Sequence, residues 1–143
     1  MEGFLGPYAG YAYALMRIVI GLLFACNGAR KLFGVFGGMR ETGAAAPLFS
    51  QMGLAGSIEF IAGVLIAVGF LTGYAAFIAS GEMAVAYFQG HFPRGFWPIL
   101  NQGERAVFYC FVFLYMSTRG DVAWGIDSLL RGRKAATPKT NSV

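Results

Sequence analysis

The sequence predicts an all-α, polytopic membrane protein folded as a bundle of four transmembrane helices. Three observations carry that reading. The chain is 57% hydrophobic and only 13% charged, whereas a soluble domain carries about a quarter charged residues. Its apolar residues come in runs of helix length, with no alternating pattern of the kind a barrel needs. Four ionisable side chains, Arg17, Glu59, Glu82 and Glu104, sit inside or at the edges of those runs. A charge in hydrocarbon costs several kcal/mol, so such groups normally face a partner, a cavity or a substrate.

The elements follow in order. The first apolar run covers residues 11–28 and stops at Arg30-Lys31, with Tyr8, Tyr11 and Tyr13 placed as an interfacial aromatic belt. The loop 32–53 is rich in Gly and Ala, holds Arg40, Glu41 and Pro47, and is expected to contain a short interfacial helix. Residues 54–88 are almost unbroken in their apolarity. That is too long for one span, since about 20 residues suffice. The best break is Leu71-Thr72-Gly73, a tight hairpin giving spans at 54–71 and 74–88. Residues 89–103 read QGHFPRGFWPILNQG; the prolines exclude one straight helix, so the segment reads as an interfacial or re-entrant loop. The last span, 104–117, is short and is expected to start earlier or to lie partly in the interface. Residues 121–130 suit a short amphipathic helix. The domain then covers 1–132, and 133–143 form a disordered basic tail.

An even number of spans puts both termini on one side. Lys and Arg outside the spans favour the tail side (Arg119, Arg131, Arg133, Lys134, Lys139) over the opposite loops (Arg30, Lys31, Arg40, Arg94) by one charge, which places the termini in the cytoplasm. The net charge of +4, at segment ends and in the tail, suits anionic lipid headgroups as partners and does not suggest nucleic acid. A homo-oligomer in the membrane is expected. Residues 1–11 hold no Lys or Arg and Arg17 interrupts the first apolar run, which argues against a signal peptide. Cys26 and Cys110 read as small core residues, with no CxxC and no metal-ligand spacing.

Helical spacing aims the polar groups inward. Arg17, Gly21, Phe24, Gly28 and Lys31 share one face of the first span, and glycines there allow close helix approach. Gly56, Glu59, Gly63 and Ile66 form a stripe on the second. Ala75, Ala79, Glu82, Ala86 and Gln89 form one on the third. On the fourth, Asn101, Glu104, Phe108, Phe111 and Tyr115 align if the helix extends back to Asn101. The expectation is that Arg17 pairs with Glu59 or Glu82, and that Arg17, Glu59, Glu82, His91, Asn101 and Glu104 border one cavity open toward 89–103. With Arg17 neutralising one carboxylate and Arg105 another, a third carries or shares a proton and suits proton exchange. A single His supports neither bis-histidine haem nor zinc, so His91 is expected at the cavity mouth beside Arg94, Trp97 and Asn101.

Arg17-x3-Gly21-x2-Phe24-x3-Gly28-x2-Lys31-Leu32-Phe33 resembles the opening of DoxX-type membrane proteins. Glu59-x3-Gly63-x-Leu65-x3-Gly69-x-Leu71 is similar to theirs too, as are Glu82, the His91 region, Asn101-x2-Glu104 and the closing Trp124-Gly-Ile-Asp127-Ser-Leu. The likeness covers about residues 12–130. Thr118-Arg119-Gly120-Asp121 departs from the Gly-Pro-Gly-like step usual before the last motif. The resemblance implies a four-helix inner-membrane protein, and an association with thiosulfate:quinone oxidoreductase subunits or with a mycobacterial complex against oxidative stress. It supplies no catalytic residue.

Two function classes follow. The first is a membrane component of a quinone-linked redox system, possible as an oxidoreductase subunit. A quinone headgroup would sit in the polar interior, with Glu82 and Glu59 exchanging protons and Arg17 polarising a carbonyl. His91 and Asn101 would bond it at the mouth, Glu104 would border the site, and Phe24, Phe108 and Trp97 would contact ring or tail. No intrinsic cofactor is expected, so electrons would come from substrate or a redox partner protein. The second class is a non-enzymatic carrier or scaffold for a small solute, a lipid or a partner protein.

Overall fold

A computed structural model describes residues 4–39, 43–120 and 123–136, the last four by backbone alone. Arg40, Glu41, Asp121 and the tail from residue 137 lie outside the described residues. A 3-10 turn at Gly6–Tyr8 leads into α1 (Ala9–Phe33). Then come α2 (Gln51–Val68), α3 (Thr72–Gly90), a second 3-10 turn at Phe92–Arg94, the short α4 (Pro98–Asn101), α5 (Glu104–Arg119) and α6 (Ile126–Ala136). The described residues contain no strand. The expected interfacial helix between the first two spans does not form in the described part of that loop. Helix α6 runs from Ile126 to Ala136, past the expected tail boundary at 132.

Small residues set how closely α1 and α2 pack. A Cβ on Gly21 would stand 2.6 Å from the Ala67 nitrogen and 2.8 Å from the Gly63 oxygen; on Gly63 it would stand 2.4 Å from the Ala25 nitrogen, and on Gly28 2.3 Å from the Phe60 nitrogen. The two backbones touch, as glycine stripes permit. Helices α3 and α5 pair through Ala75, Ala76 and Ala79, all buried, and the Ser80 hydroxyl donates to the Cys110 carbonyl at 2.8 Å. Between α1 and α5 large side chains fill a wider gap. Phe24 meets Phe113 at 4.6 Å and Tyr109 at 5.4 Å between ring centroids, and Tyr13 meets Tyr115 edge-on. The core is therefore two tight pairs of helices with an aromatic seam.

The hairpin between α2 and α3 forms at residues 69–71, two residues before the Leu71-Thr72-Gly73 break expected from the sequence. Gly69 ends α2 with φ +72°, and the Phe70 N–H donates back to Leu65 O, a left-handed cap that closes orphan carbonyls. At the other connection the sequence expectation fails. The fourth helix does not reach back to Asn101, because Gln102 is left-handed (φ +61°) and Gly103 caps α5. The register shifts accordingly. Glu104, Phe108, Phe111 and Tyr115 turn outward and exposed, while Ala106, Phe113 and Met116 face the core.

Two helices, Gly6–Phe33 and Gln51–Val68, are long and apolar enough to cross a bilayer. Helices α3 and α5, with 19 and 16 residues, extend about 28 and 24 Å at ~1.5 Å per residue. The outer surfaces of all four long helices are apolar: Leu15, Leu22, Ile61, Phe77, Ile78 and Phe111 are all more than half exposed. Arg105 lies in the first turn of α5, at the end that holds Arg30, Lys31 and Arg94. Adding it to the loop side of the sequence count removes the margin of one charge, so charge outside the spans assigns no side.

Candidate functional site

Where α1 and α3 finish and α2 and α5 begin, the four helices enclose a cavity of about 790 Å³. It exists because the tight contacts lie elsewhere. Glycine packing joins α1 to α2, alanine packing joins α3 to α5, and α2 and α3 are tied by their hairpin at the opposite end. Gly81 faces the cavity, and a Cβ there would meet nothing within 4 Å.

The antiparallel register of α1 and α2 places the charges. Gly21 against Gly63 and Ala67 brings Lys31 beside Glu59, and the Lys31 ammonium donates to Glu59 Oε1 at 2.7 Å. Glu59 is 3% exposed. Its second oxygen, Oε2, is buried with no hydrogen-bond partner among the described residues, and so is Glu82 Oε2 from α3. Phe24 and Tyr109 form apolar wall around these carboxylates. Toward the open end the lining turns polar and cationic, with Asn27, Arg30, Arg105 and Gln102. The side-chain amides of Gln51 (first residue of α2) and Gln89 (near the end of α3) hydrogen-bond across the gap between their helices.

Four of the sequence-predicted site residues meet here: Glu59, Glu82, Phe24 and His91. His91 caps the end of α3; its Nδ1 lies 3.1 Å from both the Asn101 carbonyl and the Arg94 guanidinium. The other five lie outside, Phe108 on the exposed face of α5. Asn101 is buried in the connection, where its amide donates to Gly95 O at 2.6 Å and its oxygen accepts from the Gly103 N–H at 2.8 Å. It shapes the loop. Trp97 is exposed on that loop and Glu104 is exposed at the start of α5.

Arg17 is the largest correction. It does not pair with Glu59 or Glu82, because the same register sets it beside Ile66 and Ala67, two helical turns beyond Glu59, at the hairpin end. There its guanidinium donates to the carbonyls of Ile66 and Ala67 (2.9 Å to Ala67) and to Trp124 at 3.1 Å. It thus serves the open carbonyls at the end of α2, where a cation is favoured. The Trp124–Asp127 motif belongs to the same junction: Asp127 N–H donates to Gly69 O at 2.9 Å, and its carboxylate accepts from Thr72 N at the start of α3. Arg105, expected to neutralise a carboxylate, lines the cavity, while Lys31, Arg30 and the glutamine pair were missed as site residues. Lys31 carried a readable signal, since it ends the stripe that begins at Arg17.

An apolar outer surface, two helices long and apolar enough to cross a bilayer and an acid-lined cavity define a helical membrane protein with an amphipathic cavity. The profile of the DoxX family matches residues 12–92. An uncharacterized protein of Haemophilus influenzae is 38% identical over 127 residues, covering 87% of this chain and 94% of the relative. The chain belongs to the DoxX family. No solved structure matches it.

Proposed function

We propose that α1, α2, α3 and α5 all cross the bacterial inner membrane, with both termini on one side, and that the cavity binds the headgroup of a quinone. The observation that carries this reading is the pair of buried carboxylate oxygens, Glu59 Oε2 and Glu82 Oε2, that have no donor among the described residues and belong to two residues lining one cavity. A buried polar atom without a partner costs stability, and the hydroxyls of a quinol would supply the missing donors. Lys31, in place of Arg17, would polarise a quinone oxygen, and Phe24 and Tyr109 would contact the ring. Reduction of a quinone to a quinol takes two electrons and two protons. The carboxylates would pass the protons, and a redox partner protein or a reduced substrate would supply the electrons.

The test is chemical. The protein is purified in mild detergent and extracted, and the extract is examined by its ultraviolet spectrum with and without borohydride. Quinone near one per chain is expected. Its absence, together with no change in tyrosine fluorescence on titration with a short-chain ubiquinone, would leave the cavity to a solute or lipid of another class.

A further inference from the structure

The cavity is not sealed along its flank. Five of its lining residues on α2 and α3, Met52, Leu54, Phe77, Ile78 and Val85, are also 48–66% exposed on the outer surface. A residue that both lines a cavity and shows an outer face marks an opening in the wall. The opening runs lengthwise between α2 and α3 and has two closed ends. One is the hairpin at Gly69–Leu71. The other is the amide pair Gln51–Gln89, the contact the structure shows between the free ends of these helices. Its edges are apolar and its interior holds Glu59, Glu82 and Lys31. Gly81 lies on α3 between Ile78 and Glu82, and nothing stands within 4 Å of where its side chain would begin.

We infer that the cavity takes its ligand sideways from the bilayer, as an amphiphile whose chain lies between α2 and α3, and that the Gln51–Gln89 amide pair is the latch across the slot. The inference deepens the quinone reading and rests on it. An amphiphile in a bilayer keeps its head at the polar boundary and its chain in hydrocarbon. Gln51 and Gln89 are polar residues at the helix ends, and the apolar edges begin one residue further on α2. A ligand arriving this way passes its head between the two amides. One hydrogen bond between neutral amides holds the latch, weak enough to open often.

The experiment uses the full chain in lipid nanodiscs, with Cys26→Ser and Cys110→Ala to clear the background. Gln51→Cys and Gln89→Cys are bridged by a short bis-methanethiosulfonate, which reductant releases. Binding of an isoprenoid ubiquinone, and of the same benzoquinone without its tail, is followed by tyrosine fluorescence. Bridging is expected to slow association of the tailed quinone at least tenfold and reductant to restore it, while the tailless probe still binds at equilibrium. Unchanged association at full bridging overturns the slot and leaves quinone binding intact. Neither probe binding the unbridged protein sinks both readings. Should the cysteine pair not fold, Gln51→Ala with Gln89→Ala replaces it. Faster association of the tailed probe is then expected, and an unchanged rate counts against the latch.

Discussion

At the residue scale, the ion pair Lys31–Glu59 and the lone carboxylate of Glu82 have different duties. The pair joins α1 to α2 beside the cavity, with Lys31 18% and Glu59 4% exposed in their side chains. Removing one partner of a buried pair costs roughly 3–5 kcal/mol because the other charge remains; the partial exposure of Lys31 puts this case at the lower end. Lys31→Met should therefore lower the unfolding temperature in detergent, and Lys31→Met with Glu59→Gln should recover much of the loss. A double variant that loses the full sum would show that the two do not act as partners. Glu82→Gln keeps the size and removes the charge and its proton exchange. It should leave unfolding unchanged, and impair turnover of a bound quinone more than its affinity, as measured by stopped-flow reduction against equilibrium titration.

At the element scale, three glycines separate packing from cavity. Gly21→Leu and Gly63→Leu drive a side chain into the facing backbone of α2 or α1 and should each cost about 1–3 kcal/mol or more. Gly81→Leu projects into open space and should change stability by no more than about 0.5 kcal/mol, yet abolish ligand binding by occupying the slot. Equal destabilisation in all three would mean that α3 has no free face at Gly81. The stripes behind this contrast were legible in the sequence, because glycine and alanine at helical spacing announce a helix contact directly. So was the hairpin, to within two residues, from Leu71-Thr72-Gly73 and the length of the apolar run. The partners of Arg17 and Glu59 were not, since spacing within a helix says nothing of how far one helix slides along another. The break before α5 was hidden as well. It rests on Gln102, a residue other than glycine in left-handed conformation, which no turn signal marks. Asn101 read as a site residue because a buried polar side chain looks alike whether it binds a ligand or a loop.

At the scale of the whole molecule, the two ends are built for different work. The hairpin end is cross-bonded by Arg17, Gly69, Thr72 and Asp127, while the cavity end is held by one ion pair, one amide pair and a loop folded on Asn101 and Tyr87. Asp127→Ala removes the carboxylate that caps α3 and should cost about 1 kcal/mol without altering the affinity for a tailed quinone, read by unfolding and by fluorescence titration. A loss of affinity would mean that the junction and the cavity move together.

Arg17 also carries a consequence for how the protein is made. Its acceptors include the carbonyls of residues 66, 67, 123 and 124, and a ribosome delivers residue 17 long before any of them. While α1 emerges alone, its guanidinium has only water, headgroups or the translocation channel to turn to, and a cation of that kind resists partition into hydrocarbon. The first helix therefore cannot settle at its final depth until the second has folded back on it, and its last two bonds wait until almost the whole chain has been synthesised. Nascent chains arrested before residue 66 should leave α1 extractable by alkali, and chains arrested after α2 should hold it.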